Sequence, residues 1–72
     1  MYLQHYKFNE AISVFTFMTI LFPDNANAFD SLGEALIRSG NITSGVAAYK
    51  KSIELNPHNE NAKLMILANQ HD

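Results

Sequence analysis

Few residues in the chain have the right type for chemistry, and their spacing keeps them apart. The histidines are His5, His58 and His71. One lies near each terminus and one lies beside Pro57. Metal binding needs ligands three or four residues apart on a helix, or brought together as a set. These three share no such spacing, and Glu60 and Asp72 nearby read as ordinary surface carboxylates. Four serines, Ser31, Ser39, Ser44 and Ser52, lack the G-x-S-x-G elbow and the paired base that nucleophilic catalysis needs. The glycines are isolated, so no phosphate-cradling loop is expected. Asn41-Ile42-Thr43 spells a glycosylation sequon. The asparagine also fits the N-cap of the following segment, which is the stronger use. The sequence therefore points to no enzyme, no metal site and no cofactor.

Composition narrows the classes further. Five Lys and Arg against seven Asp and Glu give a net charge of −2. That balance offers no pull toward nucleic acid or an anionic membrane surface. There is no cysteine, so disulfide staples and thiolate metal sites are excluded. The compartment stays open between the cytoplasm and, for part of an exported protein, the periplasm. Residues 11–22 form the most apolar run, yet Ser13, Thr16 and Thr19 interrupt it. It falls short of the roughly 20 residues a membrane-spanning helix requires. No basic start or small-residue cleavage site marks a signal peptide.

The elements follow from period and punctuation. Phe8, Ala11, Ile12, Phe15 and Thr19 share one side of a helix at 100° per residue. Pro23 stops that helix, and Asn25 fits as N-cap of the next. Phe29, Leu32, Gly33 and Leu36 share a face of the second helix. Gly40 suits the left-handed conformation that ends it. Asn41 fits as the next N-cap, and Pro57 closes the third helix. The expected helices are 8–22, 25–39, 42–55 and 59–70, with a separate helical stub over 1–6 where Tyr2, Leu3 and Tyr6 share a face. A strand over Val14 to Leu21 is the competing assignment.

An internal period is visible. Pro57 lies 34 residues after Pro23. At that offset Phe8 meets Ile42, Ala11 meets Gly45, Phe15 meets Tyr49, Asn25 meets Asn59 and Ala28 meets Ala62. Residues 26–59 carry Phe29, Leu32-Gly33, Leu36, Gly40, Tyr49 and Pro57. This stretch resembles the tetratricopeptide repeat (TPR), whose pattern is W-x2-L-G-x2-Y…A-x3-F…P over about 34 residues. Two positions depart, with Leu36 where Tyr is usual and Gly45 where Ala is usual. The resemblance implies an all-α, right-handed array of antiparallel helices in one domain over 1–72. Residues 1–25 would be a partial repeat, 26–59 a full one and 60–72 a partial repeat or capping helix. Gly33 and Gly45 would allow close helix approach.

Two surfaces are candidate binding sites. Asn27, Asp30, Glu34 and Arg38 form a polar face on the second helix. The resemblance implies that this face lines a peptide groove. A solvated face with a Glu34–Arg38 pair is the plain alternative. Asp30 and Glu34 argue against the TPR class that clamps a carboxylate with Lys, Arg and Asn. The other surface is apolar. Val14, Phe17 and Ile20 lie on the back of helix 8–22, and Leu64 and Leu67 face away from the core on the last helix. Either residues 1–6 cover the first set, or another copy or a further domain does. The second set reads equally as a poor cap.

The functional expectation is a non-catalytic module that binds a protein, a peptide or the remainder of its own parent chain. Residues Asn27 to Ala35 also resemble the TPR tails that follow the catalytic domain of some bacterial hydrolases. The alternative is a homodimer in which the incomplete ends, or two copies of helix 8–22, cover each other.

Overall fold

Two Pro-Xaa-Asn turns build the chain's period into its backbone. The computed structural model describes residues 2–69, with side chains from Phe8 to Asn69. Four helices follow in order: α1 (Tyr2–Leu21), α2 (Ala26–Arg38), α3 (Ile42–Leu55) and α4 (Glu60–Asn69). At the end of α1, Phe22 N donates to Met18 O at 2.8 Å. Pro23 has no N–H to continue the ladder. Asn25 N then donates to Phe22 O at 3.0 Å, and Asn25 Oδ1 accepts from Asn27 N at 2.9 Å and Ala28 N at 3.3 Å. The turn after α3 repeats this chemistry. Asn56 N donates to Ser52 O at 2.8 Å, Asn59 N to Asn56 O at 3.1 Å, and Ala62 N to Asn59 Oδ1 at 3.1 Å. Each of these three bonds has its partner 34 residues earlier. An asparagine cap of this kind contributes about 1 kcal/mol.

The middle turn is built differently. Gly40 adopts φ +98°. Gly40 N donates to Ile37 O at 3.0 Å and Asn41 N to Leu36 O at 2.8 Å. These are the two bonds of a Schellman ending. Asn41 does not cap α3 with its side chain, contrary to expectation. Its Nδ2 donates to Ser39 Oγ at 2.9 Å instead. The Schellman turn fixes the Asn41 backbone at φ −87°, ψ 70°, and the amide is drawn back to the serine.

The α2–α3 pair is the centre of the array. Gly33 faces the Tyr49 ring, and a Cβ at Gly33 would lie 2.8 Å from Tyr49 Cδ2. A Cβ at Gly45 would lie 2.5 Å from Ile37 Cγ1 and 3.0 Å from Gly33 O. As one index rises by four the other falls by four, which is the register of an antiparallel pair. Close packing therefore explains the glycine at 45 where alanine was expected. The buried apolar residues are Ala28, Ala35, Val46, Ala48, Tyr49 and Ala62. Four of these six are alanine, so the helices approach closely over little apolar volume. The Cα envelope is accordingly thin, at 34 × 32 × 15 Å.

One expected boundary is wrong. Residues 2–6 are not a separate stub, because α1 runs unbroken from Tyr2 to Leu21. Nothing between residues 2 and 8 breaks a helix, since Gly and Pro are absent there. The shared face of Tyr2, Leu3 and Tyr6 lies outside the described side chains. Val14 to Leu21 is helix, not strand.

Candidate interaction surfaces

The polar face of α2 divides once α4 is in place. Asp30 is half-buried and accepts from Asn59 Nδ2 at 2.7 Å. Asn61 Nδ2 approaches its two carboxylate oxygens at 3.4 and 3.5 Å. Asn59 Nδ2 also donates to Ser52 Oγ at 2.9 Å, and Ser52 Oγ donates to Ala26 O at 2.9 Å. Ser52 is fully buried. The chain Ala26–Ser52–Asn59–Asp30 thus ties α2, α3 and the start of α4 together. Asp30 is a lock between helices as well as a surface carboxylate. In the sequence Ser52 stood out only as one of four serines without a paired base. The available signal was its position three residues after Tyr49, on the buried face of α3.

The other three residues of the face stay exposed. Arg38 Nη2 pairs with Glu34 Oε2 at 3.0 Å, with both side chains more than half exposed. A pair of that kind contributes a few tenths of a kcal/mol, roughly 0.3–0.5. Asn27 is exposed beside them. Behind this face sits Tyr49, 1% exposed. Burial, followed by the charges of Asp30 and Glu34, raises its phenol from 10.0 to about 12, and Arg38 opposes them.

That shift has a stability consequence at high pH. The folded phenol holds its proton more tightly than the unfolded one. The resulting stabilisation is complete below pH 10 and is lost as pH rises through about 12. The loss is expected to be on the order of 2 kcal/mol. Urea melts between pH 9 and 12 are expected to show this loss, and Tyr49→Phe is expected to flatten it. A parent and a Tyr49→Phe chain with the same slope would remove Tyr49 as the cause.

Beside α2, its seam with α1 forms a groove of two adjoining depressions of about 190 and 200 Å³. Phe15, Met18 and Ala28 give it an apolar floor, and Asn27, Ser31 and Arg38 line its polar side. A wider hollow of about 660 Å³ lies at the Leu21–Asn27 turn and reaches Asn56.

The apolar candidates stand in water. Val14, Phe17, Ile20, Leu64 and Leu67 are all more than half exposed, Leu67 at 73%. Leu21 and Phe22, half exposed, extend the α1 set and were missed in the sequence. Each helix packs mainly on its sequence neighbours, so α1 and α4 take the two ends of the array. The structure therefore gives two separate patches rather than one surface. Residues 2–6 cannot fold back over Phe17, because they continue the same helix. By helical rise, residue 6 lies about 16 Å from it along the axis.

His58 is exposed in the α3–α4 turn. The His5 side chain, and Gln70, His71 and Asp72, lie outside the described residues. Among the described residues no three His, Cys, Asp or Glu are grouped to hold a metal ion, and no helix is long and apolar enough to cross a membrane. Comparison with protein-family models, curated proteins and solved structures gives no match to this chain.

Proposed function

We propose that the chain is a non-catalytic, TPR-like module that binds protein. The observation that carries this is the contrast between α1 and α3, helices related by the 34-residue period. On the back of α3, Lys51 and Glu54 form a solvated pair at 3.5 Å. On α1 the same positions are Phe17 and Ile20, and both are exposed. An apolar pair in place of an ion pair is what a surface covered by protein requires. The period itself, the glycine contact between Gly33 and Tyr49, and the closing Pro57 support the TPR likeness. A parent chain's remaining domain is one such partner, in keeping with the resemblance of Asn27 to Ala35 to hydrolase tails.

Phage selection of helical peptides against the immobilised chain tests the proposal. Enriched sequences are expected to be amphipathic and to lose binding when Phe17→Glu and Ile20→Lys, or seam residues, are changed. No enrichment over an unrelated four-helix control would overturn it.

The polar face makes a narrower prediction. The sequence suggests a basic peptide, since Asp30 and Glu34 outnumber Arg38. Asp30 also holds α4, so a Glu34→Lys change is the cleaner probe. A selected basic peptide bound at this face is expected to weaken about threefold to tenfold, the effect shrinking at 0.5 M salt. Unchanged affinity would remove Asn27, Glu34 and Arg38 from the binding face. The second proposal, a homodimer through α1, rests on the same exposed stripe.

A further inference from the structure

The seam between α1 and α2 has a filled counterpart in the same molecule. Shifted by 34 residues, it becomes the seam between α3 and α4, and there α2 occupies it. The five buried residues of α3 are Gly45, Val46, Ala48, Tyr49 and Ser52. Their counterparts on α1 are Ala11, Ile12, Val14, Phe15 and Met18. All five are apolar, and none is buried. The difference is the helix that α2 provides on one side and that no described element provides on the other.

The filled seam also states what its occupant looks like. Asp30 of α2 takes the side-chain amides of Asn59 and Asn61. The vacant seam presents Asn25 and Asn27 at the same positions. Asn25 Oδ1 caps α2 as Asn59 Oδ1 caps α4. Its exposed Nδ2 is the counterpart of the Asn59 Nδ2 that donates to Asp30 in the filled seam. Gly33 of α2 lies on the Tyr49 ring, and Phe15 is the equivalent ring. Ile37 of α2 fits because position 45 is glycine. Position 11 is Ala, so the occupant's residue there must be smaller than isoleucine. Ser52 bonds a backbone carbonyl, whereas Met18 offers only apolar contact.

We infer that the α1–α2 seam docks an amphipathic helix of a partner protein. That helix carries an aspartate, a glycine three residues later and a small residue four beyond the glycine. The inference rests on the protein-binding proposal and specifies one of its sites. Of the chain's own helices, α2 carries Asp30 and Gly33 but is already packed on α3, and its Ile37 is too large to face Ala11. In α4 the positions of Asp30 and Gly33 are held by Leu64 and Leu67, so a second copy's α4 brings no carboxylate and meets Phe15 with a branched side chain. Tyr6 and Lys7 stand where the α2–α3 turn has Gly40 and Asn41, and α1 continues straight through them. The chain therefore makes no reversal there that would lay its own preceding segment in the seam.

The probe is a fluorescent, lactam-locked helical peptide with the sequence of Ala26–Arg38, changed by Ile37→Ala and with its helicity verified by circular dichroism. Anisotropy titration with the full chain is expected to saturate. Gly33→Leu in the peptide is expected to weaken binding about tenfold or more. Asn27→Asp in the chain, an exposed change that faces the aspartate with a like charge, is expected to weaken it about fivefold. The titration is repeated in the Phe17→Glu, Ile20→Lys chain, where seam binding is expected to persist. Absence of saturable binding by the verified helix, or binding indifferent to both changes, overturns the inference. If phage selection still yields helices of another pattern, the protein-binding proposal stands without the seam. If both fail, both fall.

Discussion

Gly33→Leu is expected to lower the melting temperature by on the order of 10 °C, or to abolish the cooperative transition. Two effects compete, and their signs differ. Leucine is the better helix former, which favours the variant by somewhat less than the roughly 0.8–1.0 kcal/mol that separates glycine from alanine. Overpacking a close contact costs about 1–3 kcal/mol. The geometry decides between them. Even a single Cβ at residue 33 would sit 2.8 Å from the Tyr49 ring. Tyr49 is 1% exposed and cannot swing aside into water. The rest of the leucine has to enter the same contact, so the overpacking term is at or above its usual upper end. For a domain this small each kcal/mol shifts the melting temperature by roughly 4–8 °C. Gly33→Ala is the graded control and is expected to fall between the two. Thermal melts followed by circular dichroism are the measurement. An unchanged or raised melting temperature for Gly33→Leu would mean that α2 and α3 do not pack in this register.

The elements that were legible in the sequence are those fixed by backbone chemistry within a few residues. Pro23 and Pro57 stop helices because they lack an N–H. Asn25 caps α2 because its amide oxygen reaches two N–H groups in its own first turn. Gly40 ends α2 because few other residues adopt a positive φ. The close approach of α2 and α3 at Gly33 and Gly45 is long-range, yet it was expected from the repeat resemblance; that the Tyr49 ring fills it was not. The errors arose where two local uses competed. Asn41 suited an N-cap, but the Schellman turn beside it and Ser39 claimed its amide. The start of α1 was misplaced for a different reason, since residues 2–8 contain no signal to break the helix.

The site was less legible because its partners come from far along the chain. Asp30, read from α2 alone, belongs to a solvated face. It becomes an interhelical lock through Asn59 and Asn61, about thirty residues on. Ser52 finds its acceptor at Ala26, an equally distant residue. Periodicity cannot report such bonds, since both ends are polar residues at unremarkable positions. Exposure of Phe17, Ile20, Leu64 and Leu67 was readable, because each lies off the packed face of its helix.

Self-association is the other large expected effect, and α1 is where it is expected. Phe17 and Ile20 lie on the back of the array, at the positions where α3 carries Lys51 and Glu54. Extending the array with more helices would leave them bare. A head-to-tail contact of α4 on α1 with the α2–α3 geometry is closed off, because Leu67 stands in the position of Gly33. A two-fold pairing of α1 with its mate buries the larger of the two exposed apolar patches. The stripe of Val14, Phe17, Ile20 and Leu21, with Phe22 at its end, exposes on the order of 500 Å², near the top of what monomers carry. Pairing two stripes buries about 1,000 Å², the lower bound of a specific interface. Removing Phe17 and Ile20 from water gains roughly 1.5–3 kcal/mol each, so a weak dimer is expected rather than a permanent one. Sedimentation across a hundredfold concentration range is expected to show monomer giving way to dimer. Phe17→Glu with Ile20→Lys is expected to abolish that shift while leaving the helical spectrum intact, since both side chains face water in the single chain. A constant monomer mass for the parent chain would sink the dimer, and dimerisation that survives the double change would move it off α1.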